Sequence, residues 1–189
     1  MADWNTYLQK TENRKPSKLL EKALLYTKVG HALDLGAGTL SESKFLLGKG
    51  FTVTAVDANE TVKEYLDGAP IELVISTFDD YQFPKNKFSL INARYALPFS
   101  SPESFSVMFS RLKESLTSEG VFVGQFFGVN DDWNVEGSNK SFHTKEQIIE
   151  LLRGFKIIDL IEEEKDGPLA IGGSKHWHVF NVIAKNQSS

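Results

Sequence analysis

The 189-residue sequence contains no cysteine, which excludes disulfide bonds, thiolate metal sites and cysteine nucleophiles. It also has no uninterrupted apolar run near the roughly 20 residues that a membrane-spanning helix needs. The polar N-terminal stretch MADWNTYLQKTENRKPSK lacks the apolar core of a signal peptide. We therefore expect a cytoplasmic protein with no membrane partner.

Positive charge is scarce as well. The 21 lysines and arginines are outnumbered by 25 aspartates and glutamates, which gives a net charge of −4 at pH 7. This balance argues against nucleic acid as the main partner and leaves a small molecule as the expected ligand. The length fits a single domain over residues 1–189, in which 1–16 reads as a polar, irregular segment.

Apolar strand-like segments alternate with helical ones along the rest of the chain, which predicts an α/β fold with a doubly wound, mostly parallel sheet. We expect seven strands, the first at 32–35 and the others at 51–56, 71–75, 88–93, 121–127, 155–161 and 177–184. The run at 71–75 is typical of a buried strand. No helical pattern separates the last two strands, so they should form an antiparallel hairpin at the C-terminal end.

The stretch HALDLGAGTLSESKFLLGKGFTVTAVDAN, residues 31–59, dominates the functional reading. It predicts a strand, a tight turn at Gly36 and Gly38, a short helix and a second strand that ends at Asp57. Glycine lets a backbone approach a ligand closely. An acid 19 residues after Gly38 is placed to accept hydrogen bonds from a ribose, although it could also serve only as a strand-end cap.

Two nucleoside cofactors fit such a turn, namely a dinucleotide and S-adenosylmethionine. The dinucleotide pattern GxGxxG needs a glycine at position 41, where this chain has Ser41. A pyrophosphate also avoids negative charge, and the acids Asp34 and Glu42 flank the turn. A cofactor with an ammonium and a sulfonium group tolerates these acids, so the sequence favours S-adenosylmethionine.

The same segments resemble the class I S-adenosylmethionine-dependent methyltransferases, over most of the chain from Ser17 to Lys185. LDLGAG matches the first motif of that family, and Asp57 in VDAN matches its second acidic position. FSLI resembles the fourth strand of the family, with Ser89 in place of the usual acid. HWHVFNVIAKN and TKEQIIELLRGF look most similar to the tellurite-resistance (TehB-like) branch. The resemblance implies a Rossmann-like methyltransferase fold.

The resemblance also implies roles for the matching positions near the first strand. Gly36, Ala37 and Gly38 would approach the methionine part of the cofactor. Asp34 would organise the amino group of the cofactor, directly or through water. Leu40 stands where a third glycine is frequent in the family, so the approach of the following helix to the ligand differs here.

On the nucleoside side, the resemblance implies that Asp57 binds the ribose hydroxyls, with Ala58 beside it. The segment around Thr77 and Phe78 would contact adenine. Many family members have an acid near position 77, so the contact here would come from the backbone.

Asn92 and Arg94, after the fourth strand, would line the methyl-donor end. Residues 1–16 form a candidate lid over the cofactor, in which Arg14 would pair with the carboxylate of the cofactor. Packing of this segment without a ligand contact is the alternative.

The expected reaction is methyl transfer to a small-molecule acceptor, which needs a general base only when the acceptor must lose a proton. Six aromatic residues are candidates for the wall of the acceptor site: Trp4, Tyr7, Tyr95, Phe126, Phe127 and Trp133. The base, if one acts, is not distinguished among four candidates: His143, His176, His178 and Tyr95.

Two other functions are not excluded by the sequence. An NAD(P)-dependent oxidoreductase is disfavoured by the absence of a glycine at 41. A non-catalytic S-adenosylmethionine-binding module remains compatible with the sequence. A metal pair at His176 and His178 is less favoured than structural histidines, because no third ligand is evident.

Overall fold

The computed structural model describes residues 4–187, which form one mixed sheet with helices on both faces. The strands are β1 (His31–Leu35), β2 (Thr52–Asp57), β3 (Glu72–Ile75), β4 (Phe88–Ala93), β5 (Leu116–Gly128), β6 (Phe142–His143), β7 (Phe155–Pro168) and β8 (Ser174–Asn186). Seven of them follow the order β3-β2-β1-β4-β5-β8-β7, and the two-residue β6 pairs with β5 off this path.

Strands β3, β2, β1, β4 and β5 pair in parallel, whereas β8 pairs antiparallel with both β5 and β7. The expected mostly parallel sheet with a C-terminal antiparallel hairpin is therefore confirmed. The short β6 was not among the seven expected strands, because the polar sequence of residues 128–142 indicates a loop. The carboxyl ends of the parallel strands lie at one edge, where ligands of such sheets bind.

Within residues 4–187, five α-helices and two 3₁₀ helices accompany the sheet. They are α1 (Trp4–Thr11), α2 (Lys18–Ala23), α3 (Ser41–Gly48), α4 (Phe105–Ser115), α5 (Lys145–Leu151) and the 3₁₀ helices Glu60–Tyr65 and Leu97–Phe99. Ser17 caps α2 by accepting from the Leu20 amide. Thr144 and Gln147 form a capping box at the start of α5. No helix in the described part, 4–187, is long and apolar enough to cross a bilayer.

Each face of the sheet has its own apolar core, because neighbouring residues of a strand point to opposite sides. One core packs α4 and α5 against residues such as Leu33, Ile91 and Phe122. The other packs α1, α2 and α3 against residues such as Leu90 and Val123. Both faces of the central strands are thus covered, which explains their almost continuous apolar sequences.

The N-terminal segment differs from the prediction. Residues 1–16 were expected to be irregular, but 4–11 form α1, with Leu8 and Thr11 buried on its inner face. The spacing of Trp4, Tyr7, Leu8 and Thr11 places all four on one side of a helix. Packing of that side against the domain stabilises a helix that its own polar sequence would not. Residues 1–3 lie outside the described part of the chain.

Two strand expectations were also wrong. The run at 71–75 is not a buried strand: β3 covers 72–75 at an edge of the sheet, so it is only half-buried. The hairpin strands are longer than predicted, since β7 continues to Pro168 and β8 starts at Ser174. Cross-strand pairing with β8 keeps the polar residues 162–168 extended, although their side chains are mostly exposed.

Candidate active site

The glycine turn follows β1 directly. The amides of Gly36 and Ala37 donate to the carbonyl of Val56 at 2.8 and 3.2 Å, which ties the turn to the end of β2. Gly36 has φ +67°, and a Cβ at this position would lie 2.6 Å from the Cβ of Ala96. Only glycine fits here, for backbone conformation and for space.

Asp57 lies against this turn at the carboxyl end of β2. Its Oδ2 accepts from the Gly38 amide at 2.9 Å, and its Oδ1 accepts from the Asn59 amide at 2.9 Å. A carboxylate has about four acceptor positions. The two bonds fix the orientation of Asp57 and leave it able to accept from two further donors. The exposed Ala58 is its neighbour in sequence.

Asp34 is buried beneath the turn. Its oxygens accept from Ser43 Oγ at 2.6 Å and from Asn92 Nδ2 at 2.7 Å. Burial raises the pKa of the Asp34 carboxyl to about 7, against the opposing effect of these hydrogen bonds. Asp34 and Asn92 thus bond to each other under the cofactor edge of the sheet.

Arg94 does not stand alone at the end of β4. Its Nη1 donates to Glu42 Oε1 at 2.6 Å and to the Lys15 carbonyl at 3.1 Å. Glu42 Oε1 also accepts from the Ser17 amide at 3.0 Å. Burial raises the pKa of Glu42, while the charge of Arg94 acts in the opposite direction. The negative charge that the sequence placed beside the turn is therefore largely compensated in the folded protein.

Helix α1 lies over the glycine turn. Leu8 Cδ2 is 3.6 Å from where a Cβ of Gly38 would stand. Asn5 Oδ1 accepts from Asn59 Nδ2 at 3.1 Å and from Thr61 Oγ1 at 3.2 Å, so the helix reaches the loop after β2. Asn5 was not identified from the sequence, because nothing local marks a contact 54 residues away.

The remaining predicted cofactor residues lie near the same edge. Phe78 reaches the turn, with its Cζ 3.5 Å from the Cβ position of Gly36. Thr77 is exposed and its hydroxyl donates to Asp80 Oδ2 at 2.7 Å. Arg14 donates from Nη1 to the Tyr7 hydroxyl at 3.2 Å, which places its guanidinium at the end of α1.

Most predicted wall residues meet in one aromatic cluster, formed by Trp4, Tyr95, Phe99, Phe127, Trp133 and Trp177. Tyr7 joins it through Trp4, with ring centroids 5.8 Å apart. Phe126 points to the other face, where it packs with Phe105 and Phe109. Strand alternation separates Phe126 from Phe127, so Phe126 is a core residue and not part of the predicted wall.

The three histidine candidates are engaged or buried. His176 bonds to Asp166 and Glu164, and His178 Nε2 lies 3.1 Å from Glu162. Burial lowers the pKa of His143 to about 4, so its imidazole is neutral. Within residues 4–187 no group of three or more histidine or acidic side chains is arranged to hold a metal ion.

Tyr95, the fourth candidate, lines a cleft of about 440 Å³ beside the end of β4, here called the Tyr95 cleft. Its walls include Leu19, Arg94, Tyr95, Gln125, Glu163 and Asn181. Gln125, Glu163 and Asn181 come together through the pairing of β5, β8 and β7. The sequence does not predict that these three residues lie together, because their proximity depends on the register of the hairpin.

A glycine turn at the end of β1, an acid at the end of β2 and an adjoining cleft define a Rossmann-like nucleoside-cofactor site. Residues 33–124 match the family model described as a methyltransferase domain. The match covers just under half of the chain and confirms the resemblance of this region to methyltransferases. It supports S-adenosylmethionine over a dinucleotide as the cofactor.

Solved structures share the fold. TehB from Haemophilus influenzae superposes with a TM-score of 0.77 at 16% identity, over 92% of this chain and 63% of that chain. A methyltransferase from Methanosarcina mazei gives 0.68 at 17% identity, over 93% and 100% of the two chains. The present chain thus spans less than two thirds of TehB.

A third structure is the 1,6-didemethyltoxoflavin-N1-methyltransferase of Burkholderia thailandensis, with its substrate and S-adenosylhomocysteine bound. Its TM-score is 0.61 at 18% identity, over 90% of this chain and 79% of that one. Such identities show a common fold. No curated protein sequence matches this chain significantly.

Proposed function

We propose that this chain, as a single domain, transfers a methyl group from S-adenosylmethionine to a small-molecule acceptor. The observation that carries the proposal is the Tyr95 cleft, whose volume of about 440 Å³ suits a small ligand. It adjoins Arg94 and Tyr95, which follow β4 at the cofactor edge. The acidic net charge and the absence of a basic surface pattern in the sequence support a small acceptor over nucleic acid.

The methionine side of the cofactor would lie along the glycine turn of Gly36, Ala37 and Gly38. The buried carboxyl of Asp34 would act from below the turn, where its negative form is stabilised by a nearby ammonium group. Asn92 holds Asp34 in place with a hydrogen bond of 2.7 Å, and Asn92 and Arg94 would line the methyl-donor end.

The nucleoside side would lie between β2 and β3. Asp57 has two acceptor positions left for the ribose hydroxyls, in addition to its bonds with the Gly38 and Asn59 amides. The exposed Ala58 leaves space above it. The Phe78 ring would offer an apolar surface to adenine, and Thr77 would contribute its backbone.

Residues 1–16 would act as a lid, because α1 already lies on Gly38 through Leu8 and on Asn59 through Asn5. The Arg14 guanidinium, held beside Tyr7 at the end of α1, would pair with the carboxylate of the cofactor. A lid of this kind excludes water from the reacting groups.

When bound, S-adenosylmethionine supplies an electrophilic methyl carbon. The contribution of the chain is positioning, since alignment of two reactants alone can lower a barrier substantially. Burial raises the pKa of the Tyr95 phenol, so at neutral pH this group is a neutral hydrogen-bonding hydroxyl and not a phenolate base. A proton leaving the acceptor would pass to water at the cleft mouth.

Calorimetric titration with S-adenosylmethionine and S-adenosylhomocysteine tests the cofactor site. We expect Asp57→Ala to weaken both affinities by about tenfold or more, since a bidentate acceptor to the ribose is lost. Glu136→Ala, which removes an exposed carboxylate in the loop after β5, away from the cofactor site, is the control and should bind normally. Equal binding by wild type and Asp57→Ala would contradict the proposal.

Turnover is tested separately from binding. Thiols, amines, hydroxy compounds and metalloid oxyanions are offered with S-adenosylmethionine, and release of S-adenosylhomocysteine is measured. Product with any of them supports an enzyme. Tight cofactor binding without product from any class would favour the non-catalytic binding module instead.

A further inference from the structure

Tyr95 has an unusual backbone. Its φ is +52°, in the left-handed region that large side chains avoid. A side chain of this size is strained there and stays in this conformation only where its surroundings hold it, and such residues cluster at ligand sites. Tyr95 stands directly after the end of β4 and lines the Tyr95 cleft.

A chain of side-chain amides holds this conformation. The Tyr95 amide donates to Gln125 Oε1 at 3.0 Å, and Gln125 Nε2 donates to Asn181 Oδ1 at 3.2 Å. Asn181 Nδ2 in turn donates to Glu163 Oε1 at 3.2 Å. Gln125 and Asn181 face each other in the antiparallel register of β5 and β8. The bonds thus run across three strands and end at the Tyr95 backbone.

The ring of Tyr95 is fixed as well. Its centroid lies 6.0 Å from that of Trp177 and 6.5 Å from that of Phe127. Both partners surround the buried ammonium of Lys175, which lies 4.1 Å from the Trp177 centroid and 5.2 Å from the Phe127 centroid. The backbone and ring of Tyr95 are therefore both held by residues that do not belong to the glycine-turn motif.

We propose that the Tyr95 cleft takes the methyl acceptor, that the acceptor lies against Tyr95, and that Gln125 is the positioning residue that keeps Tyr95 there. This assignment rests on the proposed function. The walls offer the Tyr95 hydroxyl oxygen and the Glu163 carboxylate as hydrogen-bond acceptors, although Glu163 also accepts from Asn181 Nδ2 and Lys165 Nζ. The cations Lys18 and Arg94 line the same cleft. A lining with both charges suits a small neutral amine or alcohol, a nucleophile that carries its own N–H or O–H donor.

In the transfer, a lone pair of the amine nitrogen or hydroxyl oxygen forms the new bond to the methyl carbon. The carbon–sulfur bond breaks and its electron pair stays on sulfur, which leaves S-adenosylhomocysteine. The proton of the N–H or O–H group goes to solvent water.

The absence of native cysteine allows a test that needs no known acceptor. A thiol is introduced in the cleft by Tyr95→Cys or, separately, by Asn181→Cys, and in a control by Ser138→Cys. Ser138 lines a different cleft of about 370 Å³ behind the loop after β5. Each variant is incubated with S-adenosylmethionine and its mass is measured. The thiolate sulfur takes the methyl group and its proton goes to solvent.

We expect a gain of one methyl group in at least one cleft variant and none in the Ser138→Cys control. Calorimetry with S-adenosylmethionine accompanies each variant. If the cleft variants bind the cofactor but stay unmethylated, or if the control is methylated equally, the cleft assignment is wrong. If the wild type does not bind the cofactor, the proposed function fails, and this assignment with it.

The positioning role of Gln125 is tested in the Tyr95→Cys background, where the backbone amide of residue 95 is retained. Gln125→Leu removes the acceptor and should slow methylation by about tenfold or more, because small misplacements of reacting groups are costly. Gln125→Glu keeps the acceptor for the backbone amide of residue 95 but loses the donor to Asn181 Oδ1, so it should restore part of the rate. Affinity for S-adenosylhomocysteine should be the same in both. An unchanged rate in Gln125→Leu would overturn the positioning role.

Discussion

Two buried ion pairs, Asp131–Lys175 and Glu42–Arg94, lie at the ligand edge of the sheet and differ in how completely their atoms are bonded. The side chains of Lys175 and Asp131 are 4% and 0% exposed, and those of Arg94 and Glu42 are 22% and 8% exposed. Both pairs join segments that are far apart in the sequence. The two pairs differ in the other hydrogen bonds that their atoms make.

The Asp131–Lys175 pair is saturated. Asp131 accepts from the Lys175 ammonium and from the amides of Trp133 and His178. The ammonium also lies 4.3 Å from the Trp133 centroid, a favourable cation–π distance. Burial lowers the pKa of Lys175, and Asp131 opposes this effect. The pair fastens the loop after β5 to the start of β8.

The Glu42–Arg94 pair is incomplete. Glu42 Oε2 and Arg94 Nε are buried without a hydrogen-bond partner among residues 4–187. The bonds that it does make go to the Lys15 carbonyl and the Ser17 amide, in the linker between α1 and α2. An unsatisfied buried group costs free energy. The loop after β5 is therefore held by a fully bonded pair, whereas the segment between α1 and α2 is held by a pair with bonding capacity left over.

The largest expected effect comes from the saturated pair. Lys175→Met leaves Asp131 buried and unpaired, so we expect a loss of about 3–5 kcal/mol in the free energy of unfolding by urea. Affinity for S-adenosylhomocysteine should be unchanged. Lys140→Met is the control, since Lys140 also lies over Trp133, at 5.4 Å, but is not buried. A small effect of Lys175→Met would contradict the larger contribution to stability expected of the Asp131–Lys175 pair.

A smaller effect is expected at Asp34. The charge of Glu42, from the incomplete pair, helps to raise the pKa of Asp34. The pKa is about 7 in the folded protein against an ordinary value of 3.8, so the folded state holds a proton that the unfolded state has lost. Stability without ligand should therefore fall as the pH rises between these values, by up to about 1.4 kcal/mol per pH unit.

Urea unfolding of wild type and Asp34→Asn across this pH range measures the effect. The variant should lack the Asp34 contribution, so its stability should rise relative to wild type as the pH increases. His143 acts in the opposite direction, because its lowered pKa makes stability fall as the pH drops below its ordinary value of 6.5. It is present in both proteins and cancels. A constant difference would show that Asp34 is ionised throughout.

The smallest effect on stability is expected at the incomplete Glu42–Arg94 pair. Arg94→Met should cost only about 1–2 kcal/mol, because Glu42, whose pKa burial already raises, can take up a proton. Freeing the linker should weaken binding of S-adenosylhomocysteine several-fold by calorimetry, and Arg94→Lys should retain part of the affinity. A loss of stability equal to that of Lys175→Met would show that the two pairs do not differ.

The sequence predicts the local geometry of the glycine turn and Asp57 well, for a physical reason. Gly36, Gly38 and Asp57 belong to one strand–turn–helix–strand unit, in which spacing determines geometry. The Asp57 carboxylate meets the Gly38 amide as the spacing requires. The pairing of Glu42 with Arg94 was not predictable, because it depends on how α3 packs beside β4.

The acceptor half depends on contacts that no local pattern encodes. Gln125 and Asn181 are 56 residues apart and meet through the register of β5 and β8. An irregularity between Ile157 and Asp159 shifts the pairing of β7, which decides the residues that face Asn181. Helix α1 is different, because the spacing of residues 4, 7, 8 and 11 is present in the sequence. The pattern is short and surrounded by polar residues, so it did not predict a helix.

The aromatic cluster has a consequence for spectroscopy. The chain has 3 tryptophans, and Trp4, Trp133 and Trp177 all lie in that cluster. Trp4 on α1 contacts Phe99, whose ring also contacts Trp133. The tryptophan emission of the protein therefore originates entirely at the ligand edge of the sheet. Light absorbed at the tryptophan band reports on α1 and on the surroundings of the Tyr95 cleft, with no tryptophan background from the rest of the fold.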